Sequence, residues 1–381
     1  MQHRFLGRTG LKVSSLCFGT MTFGKETDEA VSAVVFRRCR ESGINFFDCA
    51  DIYAGGRSEE ILGRLIRDCR GDVVITSKFY FPTGAGPNDQ GATRYHLRAT
   101  LEASLRRLGT DRIDVYFIHR FDDRTPLEET LRALDDAVRR GQIVHVGASN
   151  FAAWQVMKGL GLSALHEWAP FQVLQPMYSL VKRQAECEIL PMALAEGLGV
   201  IPYSPMAGGL LSGKYGPGRM PAEGRIVEQK IVQTRYGDSG MLETAGRFAA
   251  FARERGFEPA ALAIAWVGAH PAVTSPIIGA RNLSQLETAL SAAAIAMTPE
   301  LRAEISALSP EPPPGDGPQR RAHRTPFPHP LTAAGAPNLI WGSGSAALGR
   351  NNNADERRGG GKIIFNRLGS RDGPDGPAGL R

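Results

Sequence analysis

The sequence predicts an α/β protein: a (β/α)8 TIM barrel preceded by an N-terminal β-hairpin. Three observations carry this expectation. Eight short β-rich runs alternate with longer amphipathic stretches from residue 16 to about residue 295. Several runs are nearly continuous in apolar residues, as parallel strands buried on both faces are. Seven consecutive runs, the second to the eighth, finish in a polar group at the same end. A barrel gathers its functional loops at that C-terminal end, whereas an open doubly wound sheet needs such residues only beside its switch point.

The elements follow in order. RFLGRTGLKVSSL (4–16) has the look of a short hairpin that closes the barrel floor. The strand candidates are SLCFGTM (15–21), INFFDCA (44–50), VVITSKF (73–79) and DVYFIHR (114–120). IVHVGAS (143–149), FQVLQPM (171–177), VIPYSPM (200–206) and SPIIGA (275–280) complete the set. Between them lie helices with readable ends. One opens at Asp28, stops at Gly43, and carries Val31, Val34, Val35 and Cys39 as an apolar stripe. Another, 125–140, begins with Thr125 as cap, Pro126 at the first helical position and Glu128 closing a capping box, with Gly141 at its end. Segment 207–239 is rich in Gly and Pro, and so long a loop in a compact domain is usually functional.

The chain divides into residues 1–310, the barrel, and residues 311–381, a low-complexity tail. The tail holds thirteen Gly and ten Pro, about a third of its length, and is expected to be disordered. It also carries ten Lys/Arg against six Asp/Glu, four of the six net positive charges of the whole chain. The main body is close to neutral, which argues against a nucleic-acid partner. Hydrophobic residues at 42 % and charged residues at 22 % fit a soluble globular protein. No apolar run approaches the roughly 18 residues of a membrane span, and the N-terminus lacks a signal-peptide pattern. The five cysteines are widely spaced, with no Cys-x-x-Cys pair, so a reducing, cytoplasmic setting is expected, without disulfides or a zinc site.

The polar strand ends are the candidate site. Strand two offers Asp48 and, just beyond, Tyr53; strand three offers Lys78 and strand four His119. Ser149 and Asn150 end the fifth, Gln175 the sixth, Tyr203 and Ser204 the seventh, and Gly279, Ala280 and Arg281 the eighth. Singly, each has a bland reading: a solvated lysine, a hydrogen-bonded core histidine, an aspartate cap. Together they point to proton chemistry at a carbonyl. A tyrosine with pKa near 10 is a poor acid. A lysine ~4 Å away interacts with it by about 4 kcal/mol at an effective dielectric of 20, so Lys78 is expected to draw the Tyr53 phenol toward the working pH. Asp48 would keep Lys78 charged and oriented, and His119 would position the substrate oxygen. No P-loop or G-x-G-x-x-G follows a strand, and no His/Asp/Glu cluster has metal-ligand spacing. Gly208-Gly209 and Gly213-Lys214 suit close approach by a pyrophosphate, or simply a flexible loop.

These segments resemble the aldo-keto reductase superfamily, in particular its aryl-alcohol-dehydrogenase-like branch and the potassium-channel β subunits. The likeness runs through GRTGLKVSSLCFGTMTFG, NFFDCADIYAGGRSEEILGRLI, VITSKF, DRIDVYFIHRFDDRTPLEETLRALDDAVRRGQIVHVGASNF, YSPMAGGLLSGKY and PIIGARNLSQLE. It implies a catalytic set of Asp48, Tyr53, Lys78 and His119. It implies that Ser149, Asn150 and Gln175 hold a nicotinamide carboxamide, with Tyr203 stacked on the ring. Ser204, Leu210, Gly213 and Lys214 would line the pyrophosphate, and Gly279, Arg281 and Gln285 the adenosine end. Arg281 would face a 2′-phosphate, so NADPH is the expected cofactor. A small-molecule carbonyl is the expected substrate. Many members of that family carry asparagine at the position of Ala289, where it contacts adenine. Three rival readings are a redox regulator resembling the channel β subunits, a lyase or isomerase using Lys78 as a Schiff base, and a nucleic-acid role for the basic tail.

Overall fold

The computed structural model describes residues 1–313; the predicted tail lies outside the described residues, apart from its first three. Strands β1 (His3–Phe5) and β2 (Lys12–Ser14) pair antiparallel as the predicted hairpin. The other strands are β3 (Cys17–Gly19), β4 (Phe46–Asp48), β5 (Val74–Phe79), β6 (Ile113–Ile118), β7 (Ile143–Ser149), β8 (Phe171–Gln175), β9 (Gly199–Val200) and β10 (Ile277–Ile278). They form one parallel eight-stranded sheet in the order β10-β3-β4-β5-β6-β7-β8-β9. Its two edges meet: Thr274 N donates to Val200 O at 2.8 Å and Ile277 N to Pro202 O at 2.9 Å. That closure makes the sheet a barrel, as the sequence predicts.

Helices α1 (Glu29–Glu41), α2 (Arg57–Ile66), α3 (Arg94–Leu108), α4 (Leu127–Arg139), α5 (Ala153–His166) and α6 (Ile189–Glu196) cover the first half. α7 (Arg225–Glu228), α8 (Lys230–Tyr236), α9 (Ser239–Glu254), α10 (Pro259–Gly268), α11 (Leu283–Ser291) and α12 (Pro299–Ser306) follow. The Gly/Pro-rich segment after β9 is thus not structureless: it folds a 3-10 turn at Ala207–Ser212 and then α7 and α8.

Strand alternation sorts the side chains into two layers. Phe46, Val74, Val115, Phe117 and Val173 point inward and join Leu6 and Val13 of the hairpin in a core inside the barrel. Phe47, Ile75, Tyr116 and Ile118 point outward against the helices. The hairpin thereby plugs the floor, as expected. Gly147 on β7 leaves the space that the inward Phe117 ring fills; a Cβ there would lie 2.4 Å from that ring. Two residues past inward Phe46, Val74, Phe117 and Val173 come Asp48, Thr76, His119 and Gln175, and Lys78 lies two past Thr76. The same alternation that fills the core therefore aims these polar groups into the barrel's upper mouth.

Two predicted helix details differ. Asp28 does cap α1, accepting from Val31 N at 2.8 Å, and Gly43 is left-handed. The buried stripe, however, is Ser32, Val35, Phe36 and Cys39, while Val31 and Val34 are exposed. The larger Phe36 turns the helix, packing 4.8 Å from Phe47. Thr125 does not cap α4, and no capping box forms with Glu128. Instead its hydroxyl donates to Asp122 Oδ2 at 2.7 Å, and Asp122 also accepts from Ala92 N and Arg124 N. Asp122 organises the turn before α4, which takes the threonine out of capping position.

Candidate active site

Asp48, at the end of β4, sits opposite Thr76 of β5. Lys78, two residues further on the same face, donates to Asp48 Oδ1 and Oδ2 at 2.8 and 2.7 Å. Its ammonium also donates to Cys49 O at 2.7 Å and to Tyr53 Oη at 3.3 Å. All of its donor capacity is thus used, which is what a fully buried ammonium requires. Asp48 Oδ1 accepts two further bonds, from Thr76 Oγ1 at 2.6 Å and Gln175 Nε2 at 2.8 Å. His119 follows β6 and its ring centroid lies 6.2 Å from that of Tyr53. The Phe81 ring packs edge-on at 4.9 Å from the other side. The four residues predicted as a set do stand together.

Their electrostatics follow from burial and from the one strong pair. Burial alone would pull the Lys78 ammonium down, but Asp48, then Tyr53, more than offset it and hold Lys78 above its ordinary value. Burial pushes the Tyr53 hydroxyl up to about 12, with Lys78 pulling the other way. The expected drift of the phenol toward the working pH is therefore reversed: desolvation outweighs the ammonium, and Tyr53 keeps its proton. Burial, then the charge of Lys78, hold His119 well below its usual value, so its ring is neutral. Its Nδ1 is buried with no hydrogen-bond partner. A protonated phenol, a neutral imidazole and a fixed ammonium converging on one spot can hold a carbonyl oxygen and give it a proton.

The residues expected around a nicotinamide are tied to this cluster. Ser149 Oγ donates to Gln175 O at 2.9 Å, and Asn150 Nδ2 to Ser149 Oγ at 3.1 Å and His119 O at 2.9 Å. Tyr203 Oη donates to Asn150 Oδ1 at 2.8 Å. Asn150 and Ser204 are among the few non-glycine residues with positive φ, backbone strain of a kind that clusters at functional sites. Further out, Gly208 and Gly209 turn left-handed after β9, and a Cβ on Gly209 would meet nothing within 4 Å. Leu210 is wholly buried. Gly213 O accepts from Arg219 and Arg253, and Lys214 is exposed. After β10, Gly279 is exposed and Arg281 N donates to Gln285 Oε1 at 3.0 Å. Among the described residues, no hydrogen bond joins this outer group to the inner cluster.

Two features were missed in the sequence. Thr76 had a signal, its period-2 spacing from Lys78. Arg225 had none: on short α7, burial lowers its proton affinity, Glu26 opposes, and Arg281 lies near enough to add a smaller repulsion. Two guanidiniums at one rim fit a phosphate-bearing cofactor. Ala289 is buried and its methyl carries no hydrogen-bonding group, so it offers nothing in place of the asparagine contact expected there. Among the described residues no group of three His, Cys, Asp or Glu could hold a metal ion, and no helix is long and apolar enough to cross a membrane.

Comparison with known proteins gives the family. The aldo/keto reductase family model matches residues 15–310. The chain is 37 % identical to the uncharacterized oxidoreductase YrpG of Bacillus subtilis, over 82 % of this chain and 97 % of that protein. It is 38 % identical to a probable voltage-gated potassium channel subunit beta of Oryza sativa, covering 81 % and 96 %. It is also 33 % identical to the L-glyceraldehyde 3-phosphate reductase of Escherichia coli K12, covering 75 % and 86 %.

Proposed function

The chain belongs to the aldo/keto reductase family, and we propose that it uses NADPH to reduce an aldehyde or ketone to an alcohol, with Tyr53 as the proton donor. The observation that carries this reading is the Lys78 ammonium, bonded at once to Asp48 and to Tyr53 Oη. The bound cofactor would supply a hydride to the carbonyl carbon. Tyr53 would give its proton to the carbonyl oxygen as negative charge builds there. Lys78 stabilises the phenolate left behind, and Asp48 keeps Lys78 charged and in place. Neutral His119 would hold the oxygen through a ring nitrogen, and Phe81 fixes the ring.

Ser149, Asn150 and Gln175 offer polar groups for the carboxamide, and Tyr203 offers a ring face. Gln175 has a defined orientation: its amide nitrogen must face acceptor-only Asp48, so Oε1 is the end left for an N–H donor. Ser204, Leu210, Gly213 and Lys214 would line the pyrophosphate. Gly279, Arg281 and Gln285, with Arg225 added, would take the adenosine end, and the arginine pair favours NADPH over NADH.

Likeness to a probable channel β subunit supports a second reading, a redox regulator with slow turnover. Purified protein mixed with NADPH and a panel of aldehydes, followed by loss of reduced-cofactor absorbance, separates the two. Repeated turnover supports the reductase. Tight binding with a single turnover supports the regulator.

A further inference from the structure

Behind the four-residue cluster lies a second group of buried carboxyls. Asp51 forms the corner of the turn in which Tyr53 N donates to Ala50 O at 3.1 Å, and its own N–H donates to Lys78 O at 3.4 Å. Its side chain is 3 % exposed, and neither carboxyl oxygen has a hydrogen-bond partner. Glu59, in the first turn of α2, is 0 % exposed and fully compensated. It accepts from Ser77 Oγ at 2.5 Å and from Arg107 Nε at 2.7 Å. Two buried carboxyls thus face one guanidinium, and Glu59 has it.

We infer that Asp51 is kept as a neutral carboxylic acid and makes the turn that carries Tyr53 proton-dependent: the turn loosens when rising pH strips the proton and leaves a buried charge. An ionised carboxylate with no side-chain donor, buried beside Glu59, carries a cost that the protonated form avoids. Burial, then the charge of Glu59, push Asp51 up to about 7; the Ile52 amide, Arg107 of α3 and Lys78 of β5 only partly oppose them. From β6, Tyr116 also faces it, a buried neutral phenol whose hydroxyl donates to Thr100 Oγ1 at 3.5 Å. No side chain on any of these elements donates to the Asp51 oxygens.

The sign follows from linkage. Folded protein holds the proton up to about pH 7 while the unfolded chain loses it near pH 4, so stability falls across that interval and is level above it. Asp51→Asn, which copies the neutral acid in shape, lacks this loss. The melting temperature of wild type, relative to Asp51→Asn, is expected to fall by roughly 5 °C between pH 5 and pH 7. Hydrogen exchange localises the effect. Corrected for intrinsic rate, amides 51–56 should lose protection over the same range in wild type but not in the variant. A difference in melting temperature that is independent of pH would overturn the inference, as would unchanged protection of those amides. Should Asp51→Asn fail to fold, infrared spectra of wild type and Glu59→Gln decide. A protonated-carboxyl band persisting at pH 6 in wild type and vanishing at lower pH in Glu59→Gln is expected; no such band in wild type refutes the inference. None of these readouts depends on turnover, so they stand or fall apart from the proposed reaction.

Discussion

Lys78 and Asp48 form a fully buried ion pair in which the ammonium reaches both carboxylate oxygens, at 2.8 and 2.7 Å. Removing one partner strands the other. Lys78→Met is expected to cost about 3–5 kcal/mol in stability, the usual penalty for an uncompensated buried charge, and to remove carbonyl reduction. Urea unfolding measures the first effect. A loss under about 1 kcal/mol would mean that Thr76 and Gln175 alone satisfy Asp48.

Thr76 donates to the same carboxylate oxygen at 2.6 Å. Thr76→Val keeps the shape and removes the hydroxyl, so kcat should fall roughly tenfold, in line with loss of one bond to a charged group. NADPH affinity, read by fluorescence titration, should hold, and Thr76→Ser should restore the rate. Equal losses in kcat and affinity would point to a general disturbance of the mouth instead.

His119 is neutral because burial and Lys78 hold its pKa well below the usual value. Carbonyl reduction should therefore show no limb from histidine between pH 6 and pH 8. Linkage has the opposite sign to that of Asp51: the unfolded histidine takes up a proton below about pH 6.5 and the folded one does not, so its contribution to stability is lost as pH falls. Melting curves of wild type against His119→Gln from pH 7 to pH 5 should converge. Parallel curves would contradict a neutral, buried ring.

Arg281 and Arg225 share one rim. Each Arg→Ala change should weaken NADPH by about tenfold, the scale of one charge-assisted phosphate contact, and NADH by less than about twofold. Equal losses for both cofactors would remove the 2′-phosphate assignment.

Much of this site is legible in the sequence because one rule, strand alternation, aims both core and chemistry. Phe46 and Asp48, or Val74 and Lys78, are read together once the strand is recognised. The hairpin and Gly43 were equally plain, since turns advertise themselves by residue type. Arg225 was not, because it reaches the rim through α7 in a Gly/Pro-rich segment with no periodicity to read. Thr125 looked like a cap until Asp122, a competing acceptor three residues away, was seen to hold it. The proton affinity of Tyr53 also escaped. Spacing shows that Lys78 is near, but only the fold shows that desolvation is the larger effect.

The most direct test is the rate of NADPH oxidation with a responsive aldehyde, compared between wild type and Tyr53→Phe, with cofactor affinity measured alongside. Loss of turnover by at least about 10²-fold, at unchanged NADPH affinity, is the result expected when the phenol supplies the proton. Wild-type turnover in Tyr53→Phe would contradict the assignment of Tyr53 and the mechanism built on it.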